Sequence, residues 1–321
     1  MSGALPRALA VVGPTAAGKG ALGRAIARRL GRAVFVCDSV KVYRGLDVGS
    51  GKPDHATRGD VPHELLDLVD PDASFSAGDW AERAWALHAR RPGVIVGGTG
   101  FYLRQFAWRG SEPDDPAAPD RARDDPERVA FDEAWRAREH AEPGAIWRAL
   151  EAIDPASADA IHPANVVRAL RALWLCSRAG APLSATRAAD PPRPRVELML
   201  IVLDPGPEAL AGRIERRVDA MLAAGFVDEV ERLVASGYHG GHKAMQSLGY
   251  RQLLELVHGR TDLQAARANV IVATRQLAKR QRTYFRHQFP GVRVHAIASE
   301  AECPWPAIER FVAGDGVDHD Q

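Results

Sequence analysis

A short glycine-rich segment near the amino terminus has the residue types and spacing that bind phosphate. It matches the pattern G-x-x-x-x-G-K and reads Gly13, Pro14, Thr15, Ala16, Ala17, Gly18, Lys19. Such a loop presents successive backbone N–H groups and a helix N-terminus to phosphate oxygens, and the lysine adds a positive charge. The alternative is a glycine-rich turn beside a surface lysine. The strand and helix predicted on either side favour the phosphate loop.

The residue after the lysine departs from this motif. Gly20 stands where Ser or Thr usually helps to bind a magnesium ion. Val94–Val96 ends in Gly-Gly-Thr without a carboxylate, and Asp204 precedes Pro205, where a turn explains it, so neither strand offers an obvious second metal ligand. Because phosphoryl transfer relies on the metal to neutralise charge, these residues disfavour a kinase and favour another phosphate-bearing ligand.

Two polar residues follow other apolar runs. Asp38 comes after Ala33–Cys37, and Thr99 follows Val94–Val96 and two glycines. Because active groups gather at the carboxyl ends of parallel strands, we expect both side chains beside the phosphate loop. The carboxylate would then serve as a general base and the hydroxyl as a donor to a phosphate oxygen. An Asp that caps a turn and a Thr that closes one are the alternatives, and position alone does not decide between them.

The elements that must position these residues alternate between strand and helix. Strands are predicted at Ala8–Val12, Ala33–Cys37, Val94–Val96 and Val196–Leu203, and helices at Gly20–Leu30 and Ser76–Arg90, the second with Ser76 as its N-cap. This alternation predicts an α/β fold with a P-loop NTPase-like parallel sheet core flanked by helices.

A mainly helical stretch interrupts this alternation. Helical patterns cover Glu127–His140, Ile146–Ile153 and Ala164–Arg178, and the Pro- and Asp-rich segment Gly110–Asp125 predicts a mobile linker before them. We predict a core of residues 1–112 plus 190–313 that ends in helices, a helical insertion domain of residues 113–189, and a tail of residues 314–321.

A long helix predicted over Leu263–Phe289 carries a basic face. Within it, Thr274–Arg286 contains five cations and no acid. Four of the cations are spaced by 4, 3 and 4 residues and therefore share one face: Arg275, Lys279, Arg282 and Arg286. Such a stripe favours binding to a nucleic-acid backbone, and a solvated helix face is the alternative.

Composition limits the classes of protein to consider. The 321 residues are 46% hydrophobic and 26% charged, which permits a sizeable core and excludes global disorder. The net charge of +1 does not by itself indicate nucleic acid. No apolar run approaches the roughly 20 residues that span a bilayer, and we see no signal peptide. The three cysteines form no CxxC pair and predict neither disulfides nor zinc. We expect a cytoplasmic protein without a membrane partner.

Eight segments of the chain resemble the tRNA dimethylallyltransferases, also called tRNA isopentenyltransferases. They occur in the order typical of that family and are GPTAAGK (13–19), CDSVKVYRGLDVGSGKP (37–53), PHELLDL (62–68), VGGTGFYL (96–103), IHPANVVRALRAL (161–173), RIERRVDAML (213–222), MQSLGYRQL (245–253) and TRQLAKRQRTYFR (274–286). The combination of DSxxxYRGxDxG, GGTxxY and AKRQxTxFR is highly specific, whereas the phosphate loop alone would not be.

The resemblance implies a prenyl transfer to tRNA. The dimethylallyl group of dimethylallyl pyrophosphate would pass to the exocyclic amine of the adenosine beside the anticodon, after that base leaves the stack of the anticodon stem-loop. Asp38 would take the proton from the amine, and Thr99 and Arg217 would bind the pyrophosphate. The phosphate loop would hold the same leaving group through Gly13, Thr15, Ala16, Ala17, Gly18, Lys19 and Gly20.

The resemblance also implies a set of residues near the RNA. These are Ser39, Val40, Lys41, Tyr43, Arg168, Arg171, Gln246, Gly249, Tyr250, Arg251, Arg275, Lys279, Arg280, Gln281, Arg282 and Arg286. Core packing is the alternative for Tyr43, and a structural salt bridge is the alternative for Arg171. The family places a further arginine at the start of the insertion, for which Arg128 is the nearest candidate.

The sequence also bears on the metal, the oligomeric state and the alternative functions. Magnesium is expected from the family, but Gly20 puts its binding in question, and the ion could instead bind through pyrophosphate oxygens and water. A monomer is expected. A small-molecule kinase built on the same loop, and a tRNA-binding homologue that does not transfer a prenyl group, remain the other two functions.

Overall fold

The computed structural model of the chain describes residues 4–109 and 125–314. Most of the predicted linker (110–124) and most of the predicted tail (315–321) lie outside the described residues. The chain divides into two compact units. Unit 1 comprises Met1–Ser74, Trp80–Ala107 and Val196–Gln321, and unit 2 comprises Phe75–Asp79 and Trp108–Arg195.

A parallel sheet forms the centre of unit 1. In chain order the strands are β1 (Arg7–Val12), β2 (Val34–Cys37), β3 (His63–Glu64), β4 (Val94–Gly97), β5 (Trp108–Arg109), β6 (Arg193–Pro194), β7 (Glu197–Leu203) and β8 (Arg293–Ile297). Six of them pair in parallel in the order β3-β2-β4-β1-β7-β8, and β5 pairs with β6 antiparallel in unit 2. Strands β1, β2 and β4 are buried almost throughout, as expected when both faces of a sheet are covered. The predicted α/β class is confirmed.

Each helix that was predicted with bounds is present, and the described residues form further helices as well. They are α1 (Lys19–Arg29), α2 (His55–Arg58), α3 (Ala77–Arg90), α4 (Gly100–Ala107), α5 (Pro126–Ala141), α6 (Ala145–Ile153), α7 (Pro155–Asp159), α8 (Val166–Ala179), α9 (Leu183–Ala189), α10 (Pro207–Ala223), α11 (Phe226–Ala235), α12 (Tyr250–Val257), α13 (Leu263–His287) and α14 (Trp305–Ala313). Helices α2, α4, α7, α9 and α14 and strands β3, β5, β6 and β8 were not predicted, and no bounds were predicted for α10, α11 and α12. None of the helices in the described ranges is long and apolar enough to cross a membrane.

The strand register brings three strand ends to one place. Gly97 of β4 aligns with Val12 of β1 on one side and with Cys37 of β2 on the other. The residues that follow these strands therefore emerge side by side. Helix α1 lies close against the sheet because position 23 is glycine: a Cβ atom there would come within 2.4 Å of a methyl carbon of Val96.

Unit 2 has its own apolar core and one buried carboxylate. Helices α6, α7 and α8 contribute to that core, with Ile146, Leu150 and Leu170 among its members. Asp154 is 1% exposed. It accepts hydrogen bonds from the N–H of Ser157 (3.1 Å) and from the N–H (2.8 Å) and hydroxyl (2.6 Å) of Ser184. Burial by itself raises the pKa of Asp154, but these hydrogen bonds outweigh it and lower the pKa to about 2.

This carboxylate makes the stability of unit 2 depend on pH. Because the folded-state pKa lies below the usual value of 3.8, the stabilisation is complete above that pH and is lost as the pH falls towards 2. Asp154→Asn should therefore lower the free energy of unfolding by about 2 kcal/mol at pH 7 and by roughly half of that at pH 3. Urea denaturation at both pH values measures this, with the exposed Asp159→Asn as the control. An equal loss at both pH values would contradict the assignment.

Candidate functional site

A cavity of about 650 Å³ opens at the carboxyl ends of β1, β2 and β4, within unit 1. Its walls include the phosphate loop, Asp38, Thr99, the loop 49–53, Arg217 of α10 and Gln281 of α13. The structure thus brings the three strand ends together, along with two helices that are distant in sequence. This cavity is the candidate functional site.

The phosphate loop curls so that several amide groups are left without acceptors. Its backbone has positive φ angles at Gly13 (140°), Ala16 (62°) and Gly18 (103°), and α1 begins directly afterwards. Among the described residues, none accepts a hydrogen bond from the N–H groups of Ala16, Gly18, Lys19 and Gly20. Successive unpaired amides ahead of a helix N-terminus form a site for an anion. Ala17 is buried, and its carbonyl accepts a hydrogen bond from Arg213 (3.1 Å).

Lys19 holds its ammonium group over this loop. Its Nζ atom donates a hydrogen bond to the carbonyl of Pro14 at 2.6 Å. Burial lowers the pKa of Lys19 to about 7; Asp38 opposes this change, and the charges of Lys41 and Arg217 add to it. A bound anion would favour the charged form of the lysine.

Asp38 combines the two roles that the sequence left open. Its Oδ1 atom closes a turn by accepting hydrogen bonds from the N–H groups of Val40 (2.9 Å) and Lys41 (3.2 Å). Its Oδ2 atom accepts no hydrogen bond from the described residues, and within them the carboxylate forms no ion pair. Because Asp38 lines the cavity, the second oxygen remains available to a ligand.

Thr99 and Arg217 also line the cavity and have partial protein contacts. The Thr99 hydroxyl accepts a hydrogen bond from the N–H of Ser39 at 3.1 Å, which leaves its hydrogen to donate. One guanidinium nitrogen of Arg217 donates to the carbonyl of Ser50 at 3.4 Å. Burial lowers the pKa of Arg217, and Asp38 opposes that change. Both side chains can donate to an anion.

The charges around the cavity are strongly unequal. Five basic side chains line it, namely Lys19, Arg24, Lys41, Lys52 and Arg217, whereas Asp38 is the one carboxylate among its described lining residues. Lys52 is neutralised, because its Nζ lies 2.5 Å from both Asp47 and Asp67. The other four cations form no ion pair within the described part of the chain. Such an excess of positive charge attracts an anionic ligand.

Arg24 and Lys52 also belong to this site but were not predicted from the sequence. Lys52 lies in a segment that carried the family resemblance, but the residues around it in the sequence do not indicate that its side chain is buried and paired. For Arg24 a signal was present, because it follows Gly20 by four residues and therefore lies on the same face of α1.

Gln281, expected near the RNA, connects two of the strand-end loops. Its Oε1 atom accepts a hydrogen bond from the N–H of Thr15 at 2.8 Å, and its Nε2 atom donates to the carbonyl of Gly98 at 3.0 Å. Both ends of the amide are therefore used to hold the phosphate loop against the loop after β4.

A buried glutamate holds the loop that carries Ser50 and Gly51. Glu229 of α11 is 3% exposed and accepts hydrogen bonds from three successive N–H groups, those of Asp47 (3.1 Å), Val48 (2.7 Å) and Gly49 (3.1 Å). The Tyr250 hydroxyl donates to the same carboxylate at 2.7 Å. Because a buried charge is tolerated only when it is fully hydrogen-bonded, this contact fixes the loop firmly.

Apart from the cations of α13, the residues expected near RNA in unit 1 divide into three groups. Ser39, Val40, Lys41, Gly249 and Gln281 line the cavity. Tyr43 and Tyr250 are 2% and 0% exposed, and burial raises the pKa of Tyr43 to about 12, which fits the alternative of core packing for Tyr43. Gln246 and Arg251 are exposed and do not line the cavity.

The basic face of α13 is partly neutralised by acids from elsewhere in the chain. Arg275 pairs with Glu215 of α10 at 2.5 Å, and Arg282 pairs with Asp204, which follows β7, at 2.6 Å. The exposed Lys279, Arg280 and Arg286 form no ion pair among the described residues. The sequence of α13 contains no acidic residue, but acidic residues elsewhere in the chain pair with Arg275 and Arg282. Lys279, Arg280 and Arg286 are therefore the cations of α13 whose charge is not compensated by a described residue.

In unit 2, α8 carries Arg168 and Arg171, both half-buried. Arg128, the nearest candidate for a further RNA contact, is 6% exposed. It pairs with Asp132 at 2.8 Å and lies 5.2 Å from the ring centroid of Trp174. Arg128 therefore has a packing role in this structure.

The cavity does not offer the ligands of a protein-held magnesium ion. Magnesium prefers carboxylate and hydroxyl oxygens in octahedral geometry. Position 20 has no hydroxyl, Asp38 is the sole carboxylate among the lining residues that are described, and no group of three or more His, Cys, Asp or Glu residues suited to a metal occurs in the described ranges. The lining therefore lacks a complete set of protein ligands for magnesium, and an ion here would also need oxygens from a bound diphosphate and from water.

The contacts of Gln281 give a test of where the anion binds. Gln281→Glu should weaken the binding of inorganic pyrophosphate at least tenfold, because it places a negative charge beside the phosphate loop and removes the donor to Gly98. Isothermal titration measures the affinity. Gln276→Glu, on an exposed position of the same helix, is the matched control and should change it less than twofold. Equal effects of the two substitutions would place the anion elsewhere.

Comparison with known proteins identifies the family. The sequence matches the IPP transferase family over residues 41–288 and the isopentenyl transferase family over residues 6–61. It is 33% identical over 318 residues to a tRNA dimethylallyltransferase from Pelotomaculum thermopropionicum, with 96% of each chain covered. It is 40% identical over 308 residues to one from Bordetella pertussis, covering 92% of this chain and 95% of that protein. The crystal structure of the tRNA isopentenylpyrophosphate transferase from Bacillus halodurans is similar with a TM-score of 0.62 at 30% identity, over 96% of each chain. The resemblance seen in the sequence is confirmed, and the chain belongs to the IPP transferase family.

Proposed function

We propose that this chain transfers the dimethylallyl group of dimethylallyl pyrophosphate to the exocyclic amine of the adenosine beside the anticodon of tRNA, with release of pyrophosphate. The observation that carries the proposal is one cavity in which four unneutralised cations and a phosphate loop face a single carboxylate with a free oxygen. Membership of a transferase family supports it.

The phosphate loop and its neighbours would bind the leaving group. The unpaired N–H groups of residues 16 and 18–20 and the side chains of Lys19, Thr99 and Arg217 all line the cavity. As the bond between carbon and oxygen breaks, negative charge accumulates on the pyrophosphate. Donors that are already in place stabilise that charge more in the transition state than in the bound substrate, and this difference accelerates the reaction.

Asp38 would act on the adenosine. The lone pair of the amine nitrogen attacks the primary carbon of the prenyl group, and the bond from that carbon to the pyrophosphate oxygen breaks, with the electron pair leaving on oxygen. The proton released from the amine passes to the free Oδ2 atom of Asp38. A positioned carboxylate of this kind contributes about 100-fold to 10,000-fold in rate.

Apolar side chains of the same cavity suit the short hydrocarbon of the prenyl donor. They come from α10, α11, α13 and the segment before α12, and include Val218, Met221, Phe226, Leu248, Val270 and Leu277. Apolar lining with a few charged groups at one side is the usual composition of a site for an amphipathic ligand.

Transfer to tRNA requires a surface for the RNA backbone and entry of one base. The three uncompensated cations of α13 support backbone binding, and the target adenine would leave the anticodon-loop stack to reach Asp38. Any magnesium ion would then arrive bound to the oxygens of the diphosphate and to water, as part of the substrate. We expect a monomer in the cytoplasm.

One experiment separates the proposed function from its alternatives. The purified protein is incubated with dimethylallyl pyrophosphate and unmodified tRNA, and the nucleosides are analysed by mass spectrometry. Prenylated adenosine supports the proposal. ATP hydrolysis without prenyl transfer would indicate a kinase instead, and tRNA retention without either reaction would indicate an RNA-binding protein.

The role of Asp38 has its own test. Asp38→Asn should lower the rate of prenyl transfer by roughly 100-fold or more, because the amide cannot accept the proton, while tRNA affinity stays within a few-fold. Single-turnover transfer and filter binding measure the two quantities. Unchanged turnover would remove Asp38 from the mechanism.

The partly neutralised face of α13 predicts unequal effects of its cations on tRNA binding. Removing Lys279 and Arg286 together, by substitution with Met, should weaken tRNA binding and reduce the slope of log affinity against log salt by about 2. The control Arg275→Met, whose cation is already paired with Glu215, should change the slope by much less. A larger effect of Arg275→Met than of the double substitution would contradict this assignment.

A further inference from the structure

Arg24 lines the cavity and forms no ion pair with any described residue, and no step of the proposed reaction uses it. It projects from the second turn of α1, and it lines the same cavity as Lys19, Asp38 and Thr99. In a phosphate loop, charge on the ligand is usually neutralised in part by the Ser or Thr that follows the lysine together with its magnesium ion. Here that residue is Gly20, so this part of the neutralisation is missing.

The geometry places the arginine where the missing group would start. A Cβ atom built on Gly20 would lie 3.4 Å from Nη1 of Arg24, and apart from the adjoining residues and the backbone of α1 it would meet no other heavy atom within 4 Å. Position 20 does not have a positive φ angle, so its backbone does not require glycine. The space beside the phosphate loop is therefore occupied by the end of a guanidinium group.

The electrostatic surroundings of Arg24 lack a counter-ion. It forms no ion pair with any described residue. Its charge acts on two neighbours that also line the cavity: the pKa values of Lys41 and His63 are lowered, mainly by burial, and Arg24 contributes to both decreases. Cations that repel one another across a cavity are stabilised together when an anion enters.

We propose that Arg24 binds a diphosphate oxygen directly and replaces the hydroxyl and metal contact that Gly20 cannot make. The site then neutralises its leaving group with a fixed guanidinium in place of a protein-held metal. Arginine suits this role because its planar fork donates two parallel hydrogen bonds to a phosphate. This inference rests on the proposed function, in which a diphosphate is the leaving group.

The test measures binding of inorganic pyrophosphate by isothermal titration, without tRNA, in EDTA and again with magnesium. Arg24→Met keeps much of the aliphatic stem and removes the charge. It should weaken binding at least tenfold in EDTA, as expected for a lost charge-assisted hydrogen bond, and by a smaller factor with magnesium, which supplies the missing positive charge. Arg24→Lys should recover part of the affinity. Arg28→Met, one turn further along α1 and paired with Asp60 outside the cavity, should change it less than twofold.

A second substitution makes the test specific to position 20. Adding Gly20→Thr to Arg24→Met should restore pyrophosphate binding in magnesium but not in EDTA, because the new hydroxyl needs the metal. Circular dichroism melting checks that each variant folds.

The inference is overturned if Arg24→Met binds pyrophosphate within twofold of the unsubstituted protein in EDTA, or no more weakly than Arg28→Met does. The proposed function fails separately. If the protein transfers no prenyl group but loses pyrophosphate binding in Arg24→Met, the anion site stands and the reaction does not. If prenyl transfer occurs and Arg24→Met binds normally, the reaction stands and the role of Arg24 does not.

Discussion

Four cations that form no ion pair with any described residue line one cavity, and this electrostatic imbalance is the constraint on which the proposed site depends. Burial lowers the pKa values of Lys19, Lys41 and Arg217, because charged groups lose hydration there. A protein that only needed a stable core would pair or exclude such charges. A highly charged anion bound in the cavity would neutralise these cations, and this accounts for their position around Asp38.

Maintaining this imbalance requires rigid supports, and they come from distant parts of the chain. Gln281 of α13 connects the phosphate loop to the loop after β4, and Glu229 of α11 holds three amides of the loop before Ser50. Lys52 is fixed between two aspartates of its own region. Each of these groups is hydrogen-bonded or paired within the protein, whereas Oδ2 of Asp38 and the amides of residues 16 and 18–20 have no partner among the described residues. The division separates the residues that position the site from those that would bind its ligand.

The sequence predicted the central sheet well, because strands buried on both faces are continuous apolar runs that end at glycine or at a polar residue. It predicted the phosphate loop, Asp38 and Thr99 for the same reason, since each directly follows such a run. Short elements such as β3 and α7 have too few residues to show a period. Contacts between distant segments were also hidden. Arg275 and Arg282 looked unpaired because their acidic partners lie 60 and 78 residues earlier. Tyr43 belongs to a family motif but lies in the core, whereas Arg24 belongs to no motif but lines the site. Membership of a motif therefore did not decide which side chains face the cavity.

A crystal structure with an unreactive dimethylallyl diphosphate analogue and an anticodon stem-loop would test the central claim most directly. The diphosphate should lie against the amides of residues 16–20, in contact with Lys19 and Arg217, and the Oδ2 atom of Asp38 should lie within hydrogen-bond distance of the adenine amine. A diphosphate bound outside the phosphate loop would contradict the proposed site. So would an Asp38 carboxylate that faces away from the adenine while both ligands are bound.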